Sequence, residues 1–364
     1  MAEPPSTGET PFMEEPSRSE RRRPRPAVDV EALLRDLGLL AQRRAEDPDA
    51  ELVLEMVENA LKCIRDDTTR GDLKVLNQSL KELRYAFKVF APYRRIRKVS
   101  IFGSARTGPQ APEYEQARAF ANGMTRLGWM VITGAGGGIM EAAQGGAGRA
   151  RSFGVNIRLP FEQRANSFID RDPKLVHFKY FFTRKLMFVK ETDAIALFPG
   201  GFGTHDEGFE SLTLVQTGKS AILPIVFLDR PGGSYWREWR KYVEGHLASG
   251  GYVDPEDMSL FTVTDSVDSA VDVIRGFYRN YHSSRYVNSQ LVIRLQLPVE
   301  DALLERLNEA FGDIVLRGRI DRCGVLAEEE NEPETHHLHR IALWFDRRSI
   351  GQLRRMIDVI NEVP

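Results

Sequence analysis

The residues best suited to chemistry stand in one word, Pro199-Gly-Gly-Phe-Gly-Thr-His-Asp-Glu207, which follows the apolar run Ala194–Phe198. A continuous apolar run of this length predicts a buried strand of a parallel sheet. Gly200, Gly201 and Gly203 keep side chains out of the turn, so backbone N–H groups can reach a ligand. Thr204 reads as the N-cap of a following helix. Strand, glycine turn and helix start together offer bare N–H groups and a positive helix end to a phosphate. Glu207 falls one turn into that helix and Glu210 three residues further, on a neighbouring face. A carboxylate above a phosphate cradle points to chemistry on a nucleotide. The same four residues, Thr204 to Glu207, also fit a capping box, in which Glu207 merely bonds back to the helix start.

The elements that would position this word alternate. Strands are predicted at Val99–Phe102, Trp129–Thr133, Val155–Leu159, Val176–Tyr180, Ala221–Leu228 and Leu260–Val263. Helices are predicted at Pro112–Leu127, from Ile139, and at Thr183–Glu191, Tyr235–Leu247 and Val267–Tyr281. Such alternation means βαβ units and a Rossmann-like, doubly wound parallel sheet of the α/β class over residues 96–284. Ligands on these sheets bind at the carboxyl ends of strands, where the turns Gly103-Ser104-Ala105 and Gly134–Gly138 fall. No turn carries the Gly-Lys-Ser/Thr of a Walker loop, and Ile139 breaks the dinucleotide fingerprint begun by Gly134 and Gly136. A mononucleotide fits better than a dinucleotide or triphosphate.

Flanking this core, residues 1–27 are rich in Pro, Ser, Glu and Arg and are expected to be disordered, with Arg21–Arg23 a solvated basic run. Residues 28–95 read as a helical extension. Leu52, Met56, Ala60 and Ile64 form one stripe, and Leu73, Leu76, Leu80, Leu83 and Phe87 a second, both of the kind that packs into a core. Residues 285–364 read as a small α+β unit, with strands at Gln290–Leu297, Ile314–Ile320 and Leu338–Phe345 and helices at Val299–Phe311 and Ile350–Asn361.

Composition narrows the function classes. A net charge of −2 over 364 residues gives no general pull toward nucleic acid or an anionic membrane. No apolar run approaches the roughly 20 residues that span a bilayer. The polar, Pro-rich start shows no secretory signal, and two cysteines in no motif fit a reduced, cytoplasmic protein. His336, His337 and His339 lie close together beside an acidic loop, without cysteine partners or H-x-x-x-H spacing. They read as an exposed strand edge rather than a metal cluster.

Several words recur in order. They are Gly103-Ser104, Gly136-Gly137-Gly138-Ile139-Met140-Glu141, Leu159-Pro160-Phe161-Glu162, Arg184-Lys185 and the Pro199–Glu207 word. Together they resemble the LOG family, the cytokinin riboside 5′-monophosphate phosphoribohydrolases, over about Arg97–Tyr281. The helical extension and C-terminal unit match a longer bacterial form. The resemblance implies hydrolysis of the N-glycosidic bond of an AMP-like or N6-modified adenine nucleotide, giving free base and ribose 5-phosphate. It implies catalytic roles for Arg184 and Glu207 and a phosphate turn at Gly200, Gly201, Phe202, Gly203 and Thr204. Gly103, Ser104, Gly136, Gly137, Gly138, Glu162, Lys185 and Thr213 are implied at further substrate positions. His205 falls where the family varies and is expected to face solvent. A homodimer or higher homo-oligomer is implied, and neither metal nor cofactor.

The chemistry is consistent with this. Breaking an N-glycosidic bond passes through a cation-like ribose. An ionised Glu207 would steady that charge and take a proton from water, and an ordinary Glu, with a pKa of about 4.3, is charged at neutral pH. Arg184 would hold ribose or phosphate oxygens and orient Glu207. Three rivals differ in their needs. A non-catalytic nucleotide or molybdenum-cofactor carrier needs the glycine turns but no Arg–Glu pair. A pyridoxal-phosphate decarboxylase needs a Schiff-base lysine, for which Lys185 is the only candidate within these words. A dehydrogenase needs the complete fingerprint that is missing.

Overall fold

The computed structural model describes residues 29–43, 47–159 and 164–362. The expected disordered tail and Glu162 lie outside them. The chain divides into two compact units, Met1–Lys74 and Val75–Pro364.

In the first unit, helix α1 (Val30–Arg43) packs on α2 (Pro48–Arg65). Asp47 caps α2 by accepting from the Asp49 N–H at 3.0 Å, with Pro48 in the first turn, where no intrahelical N–H bond is lost. The stripe expected to be core is not buried, since Leu52, Met56 and Ile64 are all exposed. Two short helices have too little facing surface to bury both of their apolar sides.

Helix α3 (Arg70–Phe90) crosses the boundary between the units. Its second half carries buried Glu82, Ala86 and Phe90, with Phe90 stacked on Phe153 at 4.2 Å. Leu76 and Leu80, read as part of a core stripe, are exposed. After α3 come β1 (Lys98–Phe102), α4 (Pro112–Arg126), β2 (Met130–Thr133), α5 (Ile139–Ala147), β3 (Ser152–Ile157), β4 (Leu175–Phe178), α6 (Phe181–Lys190), β5 (Ala194–Leu197), α7 (Phe202–Gln216), β6 (Ile225–Leu228), α8 (Tyr235–Tyr242), β7 (Phe261–Thr264) and α9 (Val267–Phe277).

These strands form one parallel sheet in the order β4-β3-β2-β1-β5-β6-β7. Alternating residues feed opposite faces. Ile195 and Leu197 enter one core with Phe102, Phe153 and Phe227, while Ala194, Ala196 and Phe198 enter another with Ile101, Phe120 and Ile274. Both faces are covered, as the unbroken apolar strands require. β6 starts only at Ile225 because Pro224 has no N–H for the ladder.

The chain then adds β8 (Tyr281–Val287), β9 (Gln290–Leu295), α10 (Asp301–Phe311), β10 (Asp321–Cys323), β11 (His339–Leu343) and α11 (Ile350–Ile360). The four strands pair antiparallel in the order β10-β11-β9-β8. The sequence placed a helix through Tyr281, but α9 ends at Phe277 and Tyr281 opens β8. The strand expected at Ile314–Ile320 is instead a 3₁₀ turn, a lone bridge at Val315 and a loop with Gly318 at φ 70°. Asn308 holds both backbone groups of Ile320, so these do not join the sheet. Ile293, Ile341, Leu353 and Ile357 continue the same buried core as Phe227, which ties this segment to the parallel sheet within one unit.

Candidate active site

β1 and β5 lie side by side at the centre of the sheet, and the chain winds away from them in opposite directions. Such a switch point opens a crevice at the strands' carboxyl ends. Here the two turns are laced together. The Phe198 N–H donates to the Phe102 carbonyl at 2.8 Å, and the Ser104 N–H donates to the Pro199 carbonyl at 3.1 Å. Above them opens a cleft of about 780 Å³, lined by Gly103–Arg106, Gly200–Glu207, Gly134, Met140, Phe181, Arg184 and Tyr235.

The turn after β5 differs from its sequence reading in one respect. Gly201, not Thr204, is the N-cap, and α7 begins at Phe202. Thr204 is buried in the first turn, its N–H donating to the Gly201 carbonyl at 3.0 Å. A Cβ on Gly200 would lie 2.1 Å from the Thr204 Oγ1 and 2.9 Å from the Ser104 nitrogen, so only glycine fits there. The N–H groups of Gly200, Gly201, Phe202 and Gly203 have no protein acceptor among the described residues. They are the unsatisfied donors of a helix start, and they border the cleft. With the helix beginning at Phe202, Glu207 is its sixth residue. That is too far along for the capping-box reading.

Glu207 is buried to 9 % exposure, and its carboxylate has no protein donor among the described residues. Burial pushes its pKa up to about 7, with Glu210 and Asp206 adding to the rise and Lys185 and Arg184 opposing it. The expectation of a fully charged Glu at neutral pH is therefore corrected. Removing water penalises the anion more than the nearby cations favour it.

Arg184 projects from α6. Its Nε donates to the Val155 carbonyl at the end of β3, at 3.0 Å, and its guanidinium lies 5.2 Å over the Phe188 ring. Burial lowers its pKa while the field of Glu207 raises it, yet the two make no ion pair within 4.0 Å. The orienting contact expected between them is absent, while the Arg184 Nε is bound to the backbone and its Nη groups stay unengaged among the described residues. Room for the guanidinium comes from Gly134, where a Cβ would sit 2.7 Å from the Arg184 Nη2. The start of α6 has no side-chain cap of its own. Buried Glu82 of α3 holds it instead, accepting from the Lys179 N–H at 2.8 Å and the Thr183 hydroxyl at 2.6 Å.

Several other expected site residues lie elsewhere. Lys185 does not line the cleft. It bridges Asp206 and Glu210 at 2.8 and 2.7 Å. Burial pulls its pKa down, but these hydrogen bonds and the field of Glu207 leave it raised. Gly136, Gly137 and Gly138 also lie off the cleft. A Cβ on Gly138 would come within 2.2 Å of the Ser104 carbonyl oxygen, and the Gly136 carbonyl accepts from the Asn166 amide at 2.8 Å. Gly138 lets the two turns pack backbone to backbone, whereas a Cβ on Gly136 would meet the Met140 side chain. Thr213 is exposed on α7 beside Phe209 and Trp239, against a separate small cavity. His205 is half-buried and lines the cleft rather than facing solvent. Gly103 and Ser104 do line it. Arg106, Met140, Phe181 and Tyr235 line it too, and nothing in their local sequence marked them.

Residues 137–274 match the family model described as possible lysine decarboxylase. A cytokinin riboside 5′-monophosphate phosphoribohydrolase of Rhodococcoides fascians is 34 % identical over 92 residues, which cover 25 % of this chain and 44 % of that protein. The chain thus spans less than half of that curated relative. Among solved structures, a molybdenum cofactor binding protein from Rippkaea orientalis is 17 % identical over 50 % of this chain and 96 % of its own, with a TM-score of 0.35. DNA processing protein A from Helicobacter pylori is 15 % identical over 49 % of this chain and 80 % of its own, with a TM-score of 0.34. The segment matched by that family model contains Arg184, Glu207 and the whole 199–204 turn, whereas Gly103–Arg106 and Glu82 precede it.

Proposed function

We propose that this chain is a nucleoside 5′-monophosphate phosphoribohydrolase acting on AMP-like or N6-modified adenine nucleotides. The observation that carries the reading is the buried, donor-free Glu207 carboxylate in a cleft that also holds a row of unpaired N–H groups. The N–H row and the exposed Arg106 would receive the phosphate, and anchoring that remote group would align the ribose. Arg184 would use its remaining guanidinium donors on ribose oxygens. As the glycosidic C–N bond breaks, its electron pair leaves with the base and positive charge grows on the ribose. The Glu207 carboxylate would steady that charge and accept a proton from the water that attacks the anomeric carbon.

A carrier that only binds nucleotide has use for the N–H row but none for a carboxylate whose ionisation burial opposes. Lys185 is engaged by two carboxylates, which leaves no free lysine amine in this cleft for a Schiff base among the described residues. Around the mouth, Phe181, Phe182, Leu186 and Phe202 are exposed, Phe202 to 96 %. They support assembly as a homo-oligomer that covers them, which sedimentation velocity would test, and the reading places that assembly in the cytoplasm.

The deciding experiment incubates the protein with a panel of nucleoside monophosphates and measures released base by chromatography. Glu207→Gln and Arg184→Ala are each expected to abolish release. Near-normal turnover by either variant removes that side chain from the mechanism, and no release by the wild type from any nucleotide removes the function.

A further inference from the structure

The Tyr235 hydroxyl, on the first residue of α8, touches two groups of the cleft. It donates to the Gly200 carbonyl at 2.5 Å and lies 2.7 Å from the His205 Nε2. A phenol has one proton, and here the carbonyl takes it. The hydroxyl can then only accept from the imidazole, so the His205 Nε2 carries a hydrogen. Neither partner is loosely held. Tyr235 is followed by fully buried Trp236, whose N–H donates to the Asp229 carboxylate at 3.1 Å. The His205 ring lies among Tyr235, Trp236 and Phe209, with centroids 5.8, 5.5 and 6.5 Å away.

A trans peptide is planar, and its C=O and N–H point in opposite directions. Fixing the Gly200 carbonyl therefore fixes the direction of the Gly201 N–H. Gly201 is a glycine with no atom near its absent Cβ, so side-chain packing does nothing to hold this peptide plane. The hydroxyl bond supplies the restraint that packing does not.

We propose that Tyr235 and His205 form a strap that sets the Gly200–Gly201 peptide so that the Gly201 N–H meets the phosphate of a bound nucleotide. Both are positioning residues and take no part in bond breaking. This rests on the nucleotide reading of the cleft given above, and it adds two residues from outside the glycine word to phosphate selection.

Calorimetric titration with AMP and with adenosine tests it, since the two ligands differ only in the phosphate. Tyr235→Phe is expected to weaken AMP binding about tenfold, the loss that goes with one oriented hydrogen bond, and to leave adenosine binding unchanged. His205→Phe keeps the bond to Gly200 and is expected to weaken AMP binding less, about threefold, while His205→Gln restores a donor and recovers most of it. If the wild type shows no preference for AMP over adenosine, the phosphate reading of the cleft fails, and the strap with it. If the wild type prefers AMP and Tyr235→Phe keeps that preference, the strap alone is refuted. Equal weakening of both ligands by Tyr235→Phe likewise overturns it, because the tyrosine would then be supporting the cleft in general.

Discussion

Replacing Glu207 by Gln is expected to make the protein inactive and, above neutral pH, more stable. Burial raises the folded-state pKa of this group from 4.5 to about 7. The folded state therefore holds its proton more tightly than the unfolded state does. The stability this provides is complete below pH 4.5 and is lost as pH rises through about 7. A shift from 4.5 to about 7, at about 1.36 kcal/mol per unit, gives a loss of ~3 kcal/mol by pH 8.5. Gln has nearly the same shape and never ionises, so the variant escapes the loss. At roughly 2 °C per kcal/mol for a domain of this size, its unfolding midpoint should exceed that of the wild type by about 6 °C at pH 8.5. Near pH 5 the gap should shrink to about 2 °C. Thermal unfolding from pH 5 to 8.5 reads this directly. Parallel curves across that range would show that Glu207 does not bear a desolvation cost and would refute the account of its raised pKa. The same group should appear in catalysis as a rise in kcat/KM with pH through about 7.

Lys185 opposes the rise in the Glu207 pKa, so Lys185→Met should push that pKa higher and move the acid limb of the rate profile to more alkaline pH. An unmoved profile would show that Lys185 serves only its ion pairs. Gly134→Ala and Gly138→Ala should separate activity from folding. The first places a methyl against the flexible ends of Arg184 and Met140 and should lower kcat by about a hundredfold with little loss of stability. The second drives a methyl into the Ser104 backbone at φ 63° and should cost ~3 kcal/mol or more in denaturant unfolding. Glu82→Ala leaves the Lys179 N–H without its acceptor and the Thr183 hydroxyl with the Tyr180 carbonyl alone, and should destabilise by ~1–3 kcal/mol, with Glu82→Gln recovering part. A smaller loss, measured by the same unfolding, would mean that water takes over those donors.

The centre of the parallel sheet was legible because β5 lies in an apolar run that stops at Pro199 and β1 and β2 run directly into glycine turns. Glu207 was legible because one short word contains strand end, turn and helix start. What escaped was whatever depends on three-dimensional neighbours. Tyr235 reaches the turn from another helix, and no local pattern of Ser-Tyr-Trp-Arg announces that. Lys185 sits next to Arg184 in sequence, but a helix sends adjacent residues to different faces, and this one meets the carboxylates of α7. Glycines 136–138 look like a ligand cradle in one dimension, yet they lie off the cleft, and Gly138 serves close contact between turns. Thr204 has the chemistry of a cap, but Gly201 takes the position, and the helix gains three residues at its start, Phe202, Gly203 and Thr204. In β8, the polar run His282-Ser-Ser-Arg285 conceals a strand whose ends, Tyr281 and Val287, are its buried anchors.

The acceptor that Glu82 gives to α6 bears on where this protein can be cut. Counting from the first strand, the parallel-sheet fold begins near Lys98, and a truncation designed by that rule would discard the second half of α3. It would strip away Phe90, the ring covering Phe153, together with the carboxylate that anchors the helix bearing Arg184. A fragment starting at about Val75 keeps both. The smallest autonomous piece is thus set by a helix that precedes the sheet rather than by the sheet's own edge.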